Sequence, residues 1–165
     1  MRYLVTVAFT FMFLASNAQS KTTENLHKQN DEALALYFYN NTLRMLNQTE
    51  DKEFDALIKD IEKLKFLMID KQKFGASDYK KLVSNYKAES FEEIMSSRHE
   101  GRNFDVYLKE QGGKTQGMIV TVNDSSKLFV LDIVGSIALD KVTKFFSKLD
   151  ESSEIGQKIK EFTKN

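Results

Sequence analysis

The sequence predicts an α+β domain, in which helices pack on one face of a mostly antiparallel meander of about five strands and form a two-layer structure. In the first half of the chain, apolar residues recur at helical spacing. In the second half, short runs of alternating apolar and polar residues are separated by tight-turn sequences. A strand, a helix and a further strand connect the two halves.

Two helices are predicted in the first half. Residues 31–46 have helical spacing, although the aromatic residues of "LALYFYNNT" are also compatible with a strand. The segment 49–64 has Thr49 as its predicted cap and acidic residues in its first turn. Its apolar stripe consists of Phe54, Leu57, Ile58, Ile61 and Leu64.

A strand, a helix and a second strand follow. The run "KFLMID" (65–70) has the composition of a buried strand, and "KQKFGAS" is a predicted loop. Ser77 is the predicted cap of a helix with a stripe at Tyr79, Leu82, Val83 and Tyr86. A second strand is predicted from about Phe91 to His99. The first strand fits an edge and a central position equally well.

The predicted meander occupies the following segment. The turn sequences "EGRN", "QGGK" and "DSSK" separate the strands "FDVYLKE", "GMIVTVN" and "LFVLDIVG". The last of these is almost continuously apolar, as expected for a central strand. A helix is predicted over "SIALDKVTKFFSKL" (136–149), and the tail after it has a weaker helical stripe.

The opening stretch is typical of a secretory signal peptide. Arg2 precedes an apolar run that is shorter than the roughly 20 residues of a membrane-spanning helix. The run ends in Ser16-Asn17-Ala18, which has small residues at the cleavage positions. We predict a signal peptide over 1–18, cleaved between Ala18 and Gln19, with an uncleaved N-terminal anchor as the alternative. A flexible mature N-terminus (19–30) and a single α+β domain (31–165) would follow.

The charge composition argues against a strongly electrostatic partner. The chain has 24 basic and 24 acidic residues, and loss of Arg2 leaves a mature net charge of about −1 (23 − 24). No nucleic-acid partner is expected, because such binders are usually basic on one face. A lysine-rich stretch over 59–87 is read as a solvated polar surface, with a patch for anionic headgroups or an acidic partner as the alternative. The chain has no cysteine, so an exported domain depends on packing instead of disulfides.

No metal site or catalytic nucleophile is predicted. Structural zinc sites usually draw on Cys and His, and this chain has no Cys and two distant histidines, His27 and His99. Ser-x-x-Lys, the nucleophile spacing of serine β-lactamases, occurs twice without its companion motifs. The two pairs are Ser77 with Lys80 and Ser84 with Lys87.

The carboxylates also give no catalytic pair. A glycosidase needs two carboxylates at a fixed separation. Asp70, Asp105 and Asp132 are expected to face solvent from their strands, where a solvated role explains them. No catalytic residue and no cofactor is therefore predicted.

The segment "EEIMSSRHEGRNFDVYLKEQGGKTQGMIVTVNDSSKLFVLDIVGSIALDKVTKF" resembles the bacterial domain of unknown function 4252 family. The resemblance covers roughly residues 30–150, and its most specific part is the meander that ends at Gly135 and "GSIAL". It implies a small exported protein with an envelope-associated regulatory or stress role. The family supplies no established catalytic residues.

These observations lead us to expect a non-enzymatic interaction or regulatory module of the bacterial envelope, periplasmic or secreted, without a transmembrane segment in the mature chain. An exposed sheet edge or an uncovered apolar face would contact a protein partner. The alternative is a periplasmic carrier or sensor of a small apolar, lipid-like ligand, held in a cavity lined by Phe and Met. A hydrolase that uses scattered carboxylates or a Ser-x-x-Lys pair is the third hypothesis.

Overall fold

The computed structural model describes residues 19–47, 50–99, 101–137 and 141. Its elements in chain order are α1 (Lys21–Gln29), β1 (Leu34–Tyr39), α2 (Asn40–Leu46), α3 (Lys52–Ile58), β2 (Ile61–Asp70), a short 3-10 helix (Lys71–Lys73), α4 (Ala76–Ala88), β3 (Glu92–His99), β4 (Arg102–Gln111), β5 (Lys114–Asn123) and β6 (Lys127–Gly135). The predicted α+β class is confirmed.

The strands form one open six-stranded sheet in the order β1-β2-β6-β5-β4-β3. Every neighbouring pair is antiparallel, so the predicted meander is confirmed, with six strands instead of about five. The meander consists of the strands from β3 to β6. It is joined to the paired strands β1 and β2 because β6 pairs with β2. In this pairing Ile61 is opposite Gly135, and Asp70 is opposite Lys127. The first predicted strand is therefore an inner strand, as is β6.

Both faces of the sheet are packed, because the side chains of each strand alternate between its two faces. Leu64 of β2 packs with residues of α2 and α3, such as Leu43 and Phe54. Leu67 packs on the other face with residues of α1 and α4, such as Leu26. We call these the α2/α3 face and the α1/α4 face. Helices α1 and α4 pack on one face of the sheet, and the two short helices α2 and α3 pack on the opposite face.

Strand β1 lies within the segment whose spacing favours a helix, so the strand alternative is the observed one. It pairs with β2 from Leu34 opposite Met68 to Tyr39 opposite Lys63. Helix α2 begins only at Asn40, whose side-chain amide donates to the carbonyl oxygens of Ile58 (2.9 Å) and Ile61 (2.8 Å). Pairing with β2 thus outweighs the local helical periodicity.

The predicted helix over 49–64 is wrong in its second half. Helix α3 begins after Asp51, whose carboxylate accepts hydrogen bonds from the amides of Glu53 (2.9 Å) and Phe54 (3.2 Å). Ile61 and Leu64 belong to β2, and the predicted cap Thr49 lies outside the described residues. The register shifts between Ile61 and Lys63, and Ile61 and Leu64 pack in the same cluster. An irregular strand therefore reproduces the spacing of a helical stripe.

The segment 19–30, expected to be flexible, contains helix α1. The Ser20 hydroxyl caps this helix by accepting a hydrogen bond from the Thr23 amide at 3.2 Å. Thr22, Thr23 and Leu26 are buried. Although the segment is polar, it has specific packing and hydrogen-bond partners in the domain.

Three predictions fall outside the described residues: the signal peptide (1–18), most of the helix 136–149 and the tail. Ile137, just after β6, is buried in the cluster on the α2/α3 face. None of the helices among the described residues is both long and apolar enough to cross a membrane.

Candidate functional site

Three charged side chains meet on the α1/α4 face, two of them buried and the third, Glu24, partly exposed. Lys65 of β2 is completely buried, and Asp132 of β6 is 1% exposed. The two residues are directly opposite each other in the β2–β6 pair. Glu24 of α1 forms an ion pair with Lys65. We call Glu24, Lys65 and Asp132 the buried charged cluster.

The Lys65 ammonium depends on electrostatic partners. Its Nζ lies 3.0 Å from Oε1 of Glu24, and it lies 5.0 Å from the ring centroid of Tyr37, the residue opposite Lys65 on β1. Within the described part of the chain, Nζ makes no contact with hydrogen-bond geometry. A buried charge is costly unless it is paired. Glu24 therefore provides the charged partner that offsets the burial of Lys65.

Asp132 contacts the beginning of helix α1. Its Oδ2 accepts a hydrogen bond from the Ser20 amide at 3.0 Å, and the Thr23 hydroxyl also bonds to the carboxylate. Burial raises the pKa of Asp132 to about 7, against the lowering effects of these two bonds and of Lys65. The Glu24 charge raises it further. Burial outweighs the attraction of Lys65, so Asp132 can hold a proton near neutral pH.

Helix α4 completes the polar surroundings of the cluster. The hydroxyl of the fully buried Tyr86 lies 3.0 Å from Oγ1 of Thr23. Burial, with smaller contributions from the charges of Asp132 and Glu89, raises the pKa of Tyr86 well above its usual range. Glu89 accepts hydrogen bonds from the backbone amides of Lys21 (3.1 Å) and Thr22 (2.6 Å). Asp132 of β6 and Glu89, the residue that follows α4, thus fix the beginning of α1 through their carboxylates.

A second polar cluster joins α4 to the meander on the same face. Asp105 of β4 is 6% exposed and accepts hydrogen bonds from the hydroxyls of Ser96 (2.6 Å) and Tyr79. The Tyr79 hydroxyl also lies 2.8 Å from Oγ1 of Thr121. The strand register places Ser96, Asp105 and Thr121 side by side. Both oxygens of the Asp105 carboxylate accept hydrogen bonds, so this residue is suited to attaching α4 to the sheet.

The buried charged cluster is suited to coupling protonation to the position of α1. Lys65 and Asp132 are enclosed, so another molecule would reach them only if α1 moved away. Among the residues that the structure describes, no group of three or more His, Cys, Asp or Glu side chains could hold a metal ion.

The expectation that three aspartates face solvent is correct for Asp70 and wrong for Asp105 and Asp132. Strands β4 and β6 are inner strands packed on both faces, so their polar residues cannot reach solvent from either face. For the same reason Lys65 does not belong to the solvated lysine-rich surface.

The Ser-x-x-Lys residues lie apart from the cluster. Ser77, Lys80, Ser84 and Lys87 are all exposed on α4. Ser77 is not the cap of this helix; α4 begins after Gly75, whose amide donates to the Asp78 carboxylate at 2.8 Å.

The two histidines are also separate from each other. His27 lies on α1, where its Nδ1 is 3.4 Å from the Tyr37 hydroxyl. The backbone of His99 ends β3, and its side chain lies outside what the structure describes.

Sequence reasoning missed the buried charged cluster, although a signal for it exists. Asp132 is the one charged residue between Leu128 and Gly135 of an almost continuously apolar strand. Lys65 begins the apolar run "KFLMID". A positive and a negative charge within two buried strands indicate that the strands could pair, with Lys65 opposite Asp132.

The raised pKa of Asp132 predicts that stability depends on pH. In the unfolded chain an aspartate has a pKa of about 3.9, so between pH 4 and 7 the folded state binds a proton that the unfolded state does not. This prediction applies to a chain that continues upstream of Gln19, so that residue 19 has no charged α-amino group. Its free energy of unfolding should fall by up to about 4 kcal/mol as pH rises from 4 to 7. The measurement is urea denaturation across this range.

Asp132→Asn should flatten this pH dependence and make the protein more stable than the unsubstituted chain at pH 8, because it removes a buried charge whose desolvation and repulsion from Glu24 outweigh its attraction to Lys65. Asp31→Asn, at an exposed position, is the matched control and should leave the pH profile unchanged. Identical profiles for the unsubstituted chain and Asp132→Asn would contradict the prediction.

The fold and the cluster define a small α+β protein with an open antiparallel sheet and an enclosed, proton-binding carboxylate. The chain belongs to the family described as Domain of unknown function (DUF4252), whose model matches residues 27–145. This match confirms the resemblance. It includes Lys65 and Asp132 and begins within α1, after Ser20 and Glu24. No curated protein and no solved structure matches the chain.

Proposed function

We propose that the protein is an exported, non-enzymatic interaction module of the bacterial envelope, which binds a protein partner by adding a strand of that partner to β1. The N-terminal segment supports export, because it has the charge, apolar length and small terminal residues of a signal peptide. The difference between the two edge strands, β1 and β3, supports binding by strand addition at β1.

Strand β1 is the observation that carries this proposal. Its six residues, "LALYFY", include no charge and pair with β2 without a register shift. Tyr37 is 43% exposed and Tyr39 is 57% exposed. Edge strands are usually protected by charges, prolines or bulges, because their free backbone groups can pair with another chain. A regular, uncharged edge with exposed aromatics offers backbone pairing and side-chain contacts to an extended segment.

The opposite edge differs in each of these respects. Strand β3 has the charged residues Glu92, Glu93 and Arg98, and its register shifts between Glu93 and Met95. These features discourage pairing with a further strand. The contrast supports β1 as the edge that would bind the partner and makes β3 the control surface.

The chemistry around β1 indicates the kind of segment that would bind. Nζ of Lys63, on the neighbouring strand, lies 5.8 Å from the Tyr37 ring centroid and 5.6 Å from that of Tyr39. A cation beside two exposed tyrosines favours an extended segment that combines apolar side chains with a carboxylate.

A photo-crosslinking residue in place of Tyr39 should capture a defined envelope protein, whereas the same residue in place of Ile94 on β3 should not. Ile94 is the matched position, because it is an apolar residue on the other edge with 42% exposure. Equal capture from both positions, or none from position 39, would contradict binding at β1.

For the captured partner, Tyr39→Glu should weaken binding roughly tenfold or more, a loss of about 1.4 kcal/mol. It places a charge on the edge, and Lys63 opposite it can pair with that charge and preserve the fold. Ile94→Glu should change the affinity less than about twofold. Titration of both purified variants by calorimetry decides between these outcomes.

The second candidate function, a carrier or sensor of an apolar ligand, is supported by one feature. Five apolar residues at the margin of the cluster on the α2/α3 face are only partly buried: Leu36, Phe66, Met95, Phe104 and Leu108. A binding site for an apolar ligand is expected to be lined by side chains such as Phe and Met. Native mass spectrometry of protein from its own envelope fraction would show an added small mass, whereas the bare chain mass would count against this function.

A further inference from the structure

The two residues that directly follow the predicted cleavage point, Gln19 and Ser20, are packed against the domain. Ser20 is 3% exposed, and its amide donates to Asp132. Gln19 is partly buried, and its side-chain Nε2 is buried without a hydrogen-bond partner in the described part of the chain. Cleavage after Ala18 would therefore create a new amino terminus beside a buried carboxylate.

The charges at this point are unbalanced. The hydrogen bonds and ion pair around the first turn of α1 bring together the carboxylates of Glu24, Glu89 and Asp132 with the ammonium group of Lys65. Tyr86 lies among them as a neutral hydroxyl. An additional cation here would reduce the excess of negative charge in a region of low solvent access.

We infer that the α-ammonium group of Gln19, released when the signal peptide is removed, binds the carboxylate of Asp132 with the support of Glu89, so that processing completes the buried charged cluster. The inference depends on the cleavage that the proposed function assumes. In the precursor the same nitrogen is an uncharged amide, which cannot fill this role.

The geometry permits this contact. Consecutive backbone nitrogens lie within about 3.8 Å of each other. The Ser20 nitrogen is 3.0 Å from Oδ2 of Asp132, so the Gln19 nitrogen lies within about 7 Å of that oxygen before any adjustment. An α-amino group has a pKa of about 7.7–8.0 and is largely charged at pH 7. It carries a charge without the entropy cost of ordering a long side chain.

The test compares two forms of the chain that differ only in the terminal charge. Both begin at position 19 with Gln19→Ala, which prevents cyclisation of a terminal glutamine to an uncharged lactam. One has a free α-amine and the other is Nα-acetylated. At pH 7 the free-amine form should melt about 3 °C or more above the acetylated form. The difference should vanish as pH rises through the raised pKa of the folded α-amine, because a raised pKa gives stability only while the group is protonated.

The substitutions Asp132→Asn and Glu89→Gln test whether the melting difference depends on these two carboxylates. The melting difference should be lost with Asp132→Asn and reduced with Glu89→Gln, each measured as a pair of free and acetylated forms. Equal melting temperatures in the parent pair would overturn the inference, as would a difference that persists with Asp132→Asn.

N-terminal sequencing of the protein from its own cells tests the cleavage separately. A terminus other than Gln19 would refute processing at this site as part of the proposed function, and with it the biological role of the contact. The paired melting experiment would still decide whether Asp132 can hold the ammonium group. Partner capture at β1 is independent of both.

Discussion

Gly135→Ala should cost more than about 4 kcal/mol of unfolding free energy or prevent folding altogether. Gly135 ends β6 with a φ of +100°, a conformation that residues with a Cβ atom rarely adopt. An added Cβ would overlap the carbonyl oxygen of Asp60 and lie 3.3 Å from the backbone nitrogen of Glu62. Because both neighbours are backbone atoms, no side-chain rotation relieves the overlap, and the β2–β6 pairing must separate locally.

Gly113→Ala is the matched control. Gly113 also has a positive φ, +73°, but an added Cβ would meet no described atom within 4 Å. Its expected cost is only the conformational one, about 1–2 kcal/mol. Urea denaturation of both variants separates overlap from conformational strain. A Gly135→Ala protein as stable as Gly113→Ala would show that the chain between β2 and β6 can shift freely.

Lys65→Met should destabilise the domain by about 3–5 kcal/mol at pH 8, the usual effect of removing one partner from a buried ion pair. Methionine fits the space of the lysine stem, so the loss comes mainly from the charge and not from a cavity. Asp132 would then remain almost fully enclosed without its cationic neighbour. At pH 5 the loss should be smaller, because Asp132 binds a proton there.

A second substitution distinguishes charge from packing. Lys65→Met with Asp132→Asn should recover a large part of the stability lost at pH 8, because the uncompensated carboxylate is gone. Lys63→Met, two residues away on the same strand and only partly buried, should cost less than about 1 kcal/mol. If Lys63→Met and Lys65→Met were equally stable, or if Asp132→Asn worsened the loss, the electrostatic account of the cluster would be wrong.

The meander was predictable because each of its strands is marked by local chemistry. Alternating apolar residues and the turns at Gly101, Gly112 and Gly113 define β3, β4 and β5 without information from elsewhere in the chain. The N-terminal half was harder. Residues 34–39 and 61–64 satisfy helical spacing, and their strand structure depends on the pairing of β1 with β2 and of β2 with β6.

The buried charged cluster could be predicted only in part. Asp132 stands out in an apolar strand, but its burial and partners depend on the strand order, which the sequence left open. The role of α1 was hidden as well, because a polar segment such as "SKTTENLHKQ" resembles a solvated one. Its threonines and Glu24 are instead hydrogen-bonding and ionic partners for groups on β2, β6 and α4.

The pairing of β2 with β6 also has a kinetic consequence. The hairpins of the meander can form from neighbouring residues, but the seam between β2 and β6 joins Asp70 to Lys127, with α4 and three strands between them. Closing so long a loop carries a large entropy cost before any contact compensates for it. Folding of this chain should therefore be governed by the encounter of two locally formed units along that seam.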